Sequence, residues 1–461
     1  MKNKIIAIDS SINKPINGFF KIILGPSSSH TFGPFRIGQF IRKMLTENSS
    51  ISEGRLQVKF FSSMALTGKG HNSDIAITAG LLGLPLEETF SSLEIVKRMN
   101  YFLPIDNKKI FFNPDEDIIW DTTTPINSHP NSILAILPNK QEQLFESVGG
   151  GVVKPDMLPV AYQSCPKELS FHNLSSFTEV AVKFKGSVYE FILAREKAIT
   201  AKTETEILAE LRLKFSYMMA GVENGRLKTG SLLGQTTYRS NALFNHFLAN
   251  PNRFDYKNIT YAAAIAFAEH SATGGIAISA PTAGGGGVLP GVLYGLKYLG
   301  IAEERLIKSL FIAGIIGLII EHNACISGAE AGCTFEIGAA AAMSASAAVY
   351  AQIEDTSNLQ DKRLMLDKIS QAAEMILEHN WNLSCDCIGG KVVIPCVERN
   401  GDKAFSAVGT ADTVLVPNPH YAPVVDFDSL LKIAYAHGKN LPLGLRETGI
   451  DGVSKALKPN L

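Results

Sequence analysis

Gly338-Ala-Ala-Ala-Ala-Met-Ser-Ala-Ser-Ala-Ala348 decides the architecture of the C-terminal half of the chain. A run of small residues rich in alanine favours helix and carries little side-chain bulk. It therefore predicts a central helix against which neighbouring helices pack closely. Outward from it, Leu310 to Ile320 is an apolar run ended by Glu321 and His322. That run is shorter than the ~18–20 residues needed to cross a bilayer and is expected as a buried helix. Helical periodicity also covers Thr203 to Val222, Tyr261 to His270, Val288 to Leu299, Glu304 to Ile320 and Asp367 to His379, so the chain from Val188 onward is expected to be mostly helical.

The first part differs in character. Leu56-Gln-Val-Lys-Phe-Phe61 and Lys109-Ile-Phe-Phe112 read as short strands and alternate with helical patterns such as Phe35 to Leu45. The expected fold is a two-domain α+β chain: an α/β domain over residues 1–165, a linker over 166–187, and a mostly all-α domain over 188–461. A length of 461 residues with 46% hydrophobic content supports two cores, and no internal repeat is visible.

Charge excludes some partners. With 43 basic and 44 acidic residues the formal net charge is −1, which gives no electrostatic case for nucleic acid or an anionic membrane surface. A small-molecule partner is expected. At the N-terminus Asp9 interrupts Ile5-Ile-Ala-Ile8 before a signal-peptide apolar region could form. The six cysteines form no dense disulfide framework, which fits a reducing cytoplasm.

Three of those cysteines stand in polar, glycine-bearing contexts: Cys333 in Ser327-Gly-Ala-Glu-Ala-Gly-Cys333, Cys385 in Cys385-Asp-Cys-Ile-Gly-Gly390, and Cys396 in Ile394-Pro-Cys-Val-Glu-Arg-Asn400. Thiolates are soft ligands for zinc or iron-sulfur clusters, and three of them can leave one metal position open. Free cysteine is also a common packing residue, the reading given to Cys165 and Cys325. There is no C-x2-C pair of the zinc type, so spacing alone leaves both readings open. Elsewhere, Ser279-Ala-Pro-Thr-Ala-Gly-Gly-Gly-Gly-Val-Leu-Pro-Gly291 is a glycine run feeding a helix. Its amides suit a carboxylate, and it lacks the ending of a nucleotide P-loop. A tight turn between packed helices is the structural alternative.

Taken in order, Gly25-Pro-Ser-Ser-Ser-His-Thr31, Ala65-Leu-Thr-Gly-Lys-Gly-His71, His129-Pro-Asn131, Ser147-Val-Gly-Gly-Gly151, Ala280-Pro-Thr-Ala-Gly-Gly285, Pro290-Gly-Val-Leu293 and the three cysteine segments resemble the iron-sulfur L-serine dehydratases of bacteria. The resemblance spans residues 20 to 405. It implies an α/β N-terminal domain, an all-helical catalytic domain, and a [4Fe-4S] cluster on Cys333, Cys385 and Cys396 acting as a Lewis acid. It implies no pyridoxal phosphate, an amino-acid substrate, and a homodimer. The expected activity converts L-serine to pyruvate and ammonia. For the base, His71 ranks first among the ten histidines, with His30 and His129 as neighbours of substrate or cluster. Ser27, Ser28, Ser29, Thr282, Ala283, Gly284, Asn323, Ser327, Arg399 and Asn400 are the candidate substrate contacts. Arg399 is favoured for the carboxylate because its planar fork pairs bidentately, with a surface ion pair to Glu398 as the alternative.

Two departures bear on the expectation. Cys387 stands where the family motif usually has proline, so it could close the cluster as a fourth ligand. No cysteine follows Cys396, whereas many relatives carry one close to the C-terminus. The alternatives carried forward are elimination on L-threonine, L-cysteine or 3-hydroxyaspartate, and a non-catalytic iron-sulfur sensor.

Overall fold

A computed structural model describes residues 11–88, 101–126, 128–417 and 423–457; Asp9 and the final residues 458–461 lie outside them. The strand expected over Leu56–Phe61 forms over Gln57–Phe61 because its alternate residues Val58 and Phe60 are buried while Lys59 is not. It lies inside a five-stranded sheet whose order is Ile118–Asp121, Gln57–Phe61, Ser132–Ile136, Glu142–Gly149, Val152–Lys154. The first pairing is parallel, with Val58 opposite Ile118, and the others are antiparallel, with Phe60 opposite Ile133 and Ile133 opposite Phe145. Two helices, Gly33–Glu47 and Ser73–Leu82, join its core. Ile37, Phe40, Ile41 and Leu45 recur at helical spacing and pack with Val58, Phe60 and Phe145. The helices touch through glycines: a side chain at Gly38 would collide with the Ile77 carbonyl, and one at Gly80 with that of Phe35.

The second core is helical. In the helix Ile337–Gln352 every residue from Ile337 to Ala351 is buried. It packs against Val288–Tyr298, Glu303–Asn323, Leu359–Glu378 and Cys396–Leu415. The small side chains allow that many neighbours at once, and the two serines inside it are satisfied: Ser344 Oγ donates to Ala340 O and Ser346 Oγ to Ile369 O. Glu303–Asn323 is long and apolar enough to cross a membrane by length and composition. However, Ser309 to Ile320 are all buried in the protein core.

The expected division at residues 165 and 187 differs from this arrangement. Ile12, Ile16, Phe19 and Phe20 belong to the helical core, and Ile22–Leu24 pairs antiparallel with Ile276–Ile278. From Ile12 the chain thus lies in the helical half, enters the sheet domain after Leu24 and leaves it after Lys154. The expected linker contains the helix Leu174–Lys183, capped by Asn173. Leu174, Phe177 and Ala181, one face at helical spacing, pack into the helical core.

Candidate active site at the domain junction

Two turns of the sheet domain carry its part of the site. The Ser27 side chain accepts from His30 N and shapes the turn Ser28–Phe32. Ser147 Oγ donates to Ser29 O, Thr31 Oγ1 to His71 O, and Ser73 Oγ to His30 O. His30 is fully buried. Its Nε2 lies 3.0 Å from Ser63 Oγ, and its Nδ1 2.9 Å from Ser29 Oγ and 3.1 Å from Glu447 Oε1. The His71 ring sits 4.8 Å from that of His30, with Nε2 3.8 Å from Glu447 Oε1. His71 is 1% exposed, yet neither ring nitrogen has a hydrogen-bond partner among the described residues. Burial, aided by His30, pushes its pKa down to about 4, so the imidazole is neutral near pH 7.

His129 accepts from Asn131 N through Nδ1, while its Nε2 is unpartnered. Both polar atoms of the fully buried Asn131 side chain lack partners too, as does Ser28 Oγ. These groups adjoin one another, since Ser147 N donates to Asn131 O while its hydroxyl holds the serine turn.

The helical half closes the other side. Thr282, Ala283 and Gly284 lie in the glycine run between Ile276–Ile278 and the helix Val288–Tyr298, with Thr282 and Ala283 buried. Beside Gly284 stands Glu336, whose carboxyl lies 3.5 Å from Cys385 Sγ. Burial pushes its pKa well up. Ser327 Oγ is buried and unpartnered. It follows Ile326, which Gly149 and Gly150 of the sheet domain approach closely.

The four cysteines converge here, buried and free. Side-chain contacts link Cys333 to Cys385 and Cys385 to Cys387, and Cys387 Sγ lies 3.4 Å from Cys396 Sγ. Cys333 N donates to Leu383 O, and Cys385 N to Leu445 O. Cys396 begins the helix Cys396–Leu415, and Arg399, one turn on, donates to Ser384 O and sets its positive charge beside the Cys333 sulfur. The Gly68–His71 turn is seated directly on the cysteine loop: a side chain at Gly70 would lie 2.5 Å from Gly389 O.

Asn323, Asn400 and Glu398 are each engaged by other parts of the fold. Asn323 ends the helix Glu303–Asn323 and donates to His172 O and Ile319 O, so it ties down that helix end outside the site. Asn400 lies beside the site but is fully engaged. Its Nδ2 donates to Gly284 O and Cys396 O, and its Oδ1 accepts from Gly287 N. It is a brace between the glycine run and the cysteine helix. Glu398 pairs with Arg239, which leaves Arg399 to the cysteine loop.

Glu336, Ser63 and Glu447 were not picked out from sequence. Glu447 arrives from the C-terminal segment, held by its N–H on Cys385 O, 2.5 Å away. Burial works to raise its pKa, but the adjacent His30, with its hydrogen bond, and His71 outweigh that and hold it low.

Unpaired buried polar groups cost ~1–3 kcal/mol each. Ser28, His71, Asn131, Ser327 and the second Glu447 oxygen carry such atoms around one junction. That arrangement fits a bound polar molecule, and the four free thiols with a guanidinium against them fit an iron-sulfur cluster.

Two family models match the chain, serine dehydratase beta chain over residues 16–157 and serine dehydratase alpha chain over residues 183–454. The L-serine dehydratase of Haemophilus influenzae is 31% identical over 470 residues, covering 94% of this chain and 97% of that protein. L-serine dehydratase TdcG of Escherichia coli is also 31% identical, with the same coverage of 94% and 97%. The L-serine dehydratase of Helicobacter pylori is 31% identical, covering 96% and 99%. With both models matched in sequence order around this junction, the chain belongs to the serine dehydratase family, its beta-chain and alpha-chain parts fused in one polypeptide.

Proposed function

We propose that this enzyme eliminates water from L-serine to give pyruvate and ammonia. The carrying observation is His71: a neutral, buried imidazole, both nitrogens free, placed beside the cysteine loop. In this reading a substrate α-carboxylate is received by the amides of Ala283 and Gly284, the glycine-run amides that the fold does not itself use, and by Thr282, with Asn400 keeping the run in place. Ser28, Asn131 and Ser327 offer hydrogen bonds to the remaining polar groups. His71 takes the Cα proton, the electron pair forms the Cα–Cβ double bond, and the Cβ–O bond breaks with loss of hydroxide. The aminoacrylate so released tautomerises to an imine, which water hydrolyses to pyruvate and ammonia. Cys333, Cys385 and Cys396 would hold the [4Fe-4S] cluster, which when bound supplies a Lewis acid for the departing hydroxyl. Arg399 holds the Ser384 carbonyl and sets its charge beside the Cys333 sulfur. Glu447 and Ser63 fix His30, which forms one wall against His71.

The test is anaerobic reconstitution with iron and sulfide, followed by pyruvate and ammonia assays on L-serine beside L-threonine and L-cysteine. Turnover greatest on L-serine and lost in air supports the reading. A fully loaded cluster with no turnover on L-serine overturns it, and turnover confined to another of the three reassigns the substrate.

A further inference from the structure

Cys387 and Cys396 are two buried thiols whose sulfurs lie in contact at 3.4 Å. The backbone brings them together: the turn Ile388–Gly390 follows Cys387, and Ile388 N donates to Ile394 O two residues before Cys396. Of the two, Cys396 begins a helix braced by Asn400, whereas Cys387 lies in the loop facing His71. A disulfide would bring these sulfurs from 3.4 Å to ~2.05 Å.

We infer that Cys387 and Cys396 form a reversible redox pair, with Cys387 capturing Cys396 as a disulfide when the cluster is lost under oxidising conditions. The oxidant is a peroxide. One thiol sulfur attacks a peroxide oxygen, the O–O bond breaks, and a sulfenic acid and water form. The neighbouring sulfur then displaces hydroxide from the sulfenic sulfur, which leaves as water with the second thiol proton. Overall, two thiols are oxidised by two electrons and hydrogen peroxide is reduced to two waters. A dithiol reverses the step. The disulfide keeps Cys396 from the sulfinic and sulfonic states that ordinary reductants do not reverse. Cys387 is thus a resolving thiol, and the inference rests on the cluster reading only in taking Cys396 as a ligand.

The experiment uses the full chain, reduced and freed of metal with a chelator, then treated with hydrogen peroxide. Remaining thiols are alkylated, and the protein is digested without reductant for mass spectrometry. The expected result is one dominant cross-link, Cys387 to Cys396, reversed by dithiothreitol. In Cys387→Ser, Cys396 is expected at least tenfold richer in sulfinic and sulfonic acid at equal peroxide. Cys325→Ser controls for general thiol loss and should leave the cross-link unchanged, and circular dichroism checks that both variants are folded. Wild-type protein in which Cys396 is over-oxidised without the cross-link overturns the inference, as does equal protection of Cys396 in folded Cys387→Ser. Because thiol chemistry is read without the cluster, a chain that cross-links yet never loads iron would defeat the cluster reading alone.

Discussion

His71 and His270 show how burial sets two histidines to different ends. His71 is buried with its nitrogens free and faces the thiols, an arrangement costly for stability and suited to proton abstraction. His71→Ala is expected to lower kcat by ~10²–10⁴-fold, the usual worth of a general base, while iron and sulfide loading stay at the wild-type level. Turnover within threefold of wild type at full loading would remove it from that role. His270 ends the helix Tyr256–Ala272 and uses its Nε2 on Ile276 O. Burial, with Lys228 nearby, lowers its pKa to about 4 from 6.5. The folded protein stays neutral there while the unfolded chain takes up a proton below pH 6.5. Stability is therefore full above that pH and falls as pH drops from about 6.5 to about 4, by on the order of 2–3 kcal/mol. Urea unfolding across that range should show a slope that His270→Gln flattens; an unchanged slope would mean that His270 is not held neutral.

At the scale of elements, the site depends on turns laid against each other rather than on any single helix. The Gly68–His71 turn and the cysteine loop meet at Gly70 with backbone against backbone, so a methyl group there must separate them. Gly70→Ala is expected to lower kcat at least tenfold, since sub-ångström placement governs proton transfer, while the melting temperature moves by only a few degrees. Activity near wild type would show that the two turns do not set the position of His71. The same scale explains what the sequence made legible. Gly338–Ala348 announces a helix at the centre of a bundle because nothing but close packing rewards such small side chains, and Val58 and Phe60 announce a strand by alternation. Cys333, Cys385, Cys396 and His71 stand in motifs recognisable from local sequence, and the structure brings the cysteine loop and the His71 turn together. Glu447 and Glu336 do not: each is one carboxylate among 44 acidic residues, and only tertiary contact brings Ser29 and Glu447, 418 positions apart, to 3.5 Å. Asn400 stands beside a cysteine motif, and in the fold it braces backbone.

On the scale of the whole molecule, the site lies where the sheet domain rests on the helical half, and the chain crosses that boundary after Leu24. This crossing was invisible in composition, because Ile12 to Leu24 is too short to declare which core it joins. Phe19 lies against Gly317 and Met343 of the bundle and edge-on to Phe20, while Lys14 and Arg195 tie the same segment to Glu321 and to the Ile12 and Lys14 carbonyls. The N-terminal arm therefore stabilises the helical half, and its loss should loosen that half first. Phe19→Ala removes a ring from a closed core and is expected to cost ~3–5 kcal/mol. Hydrogen exchange should quicken in Ile337–Gln352 while Gln57–Phe61 keeps its protection, because local opening follows the packing unit to which a residue belongs. Phe40→Ala, in the core of the sheet domain, should reverse that pattern. Equal loss of protection in both places for both variants would mean that the two halves unfold as one cooperative unit, and that the junction binding the site is as strong as either core.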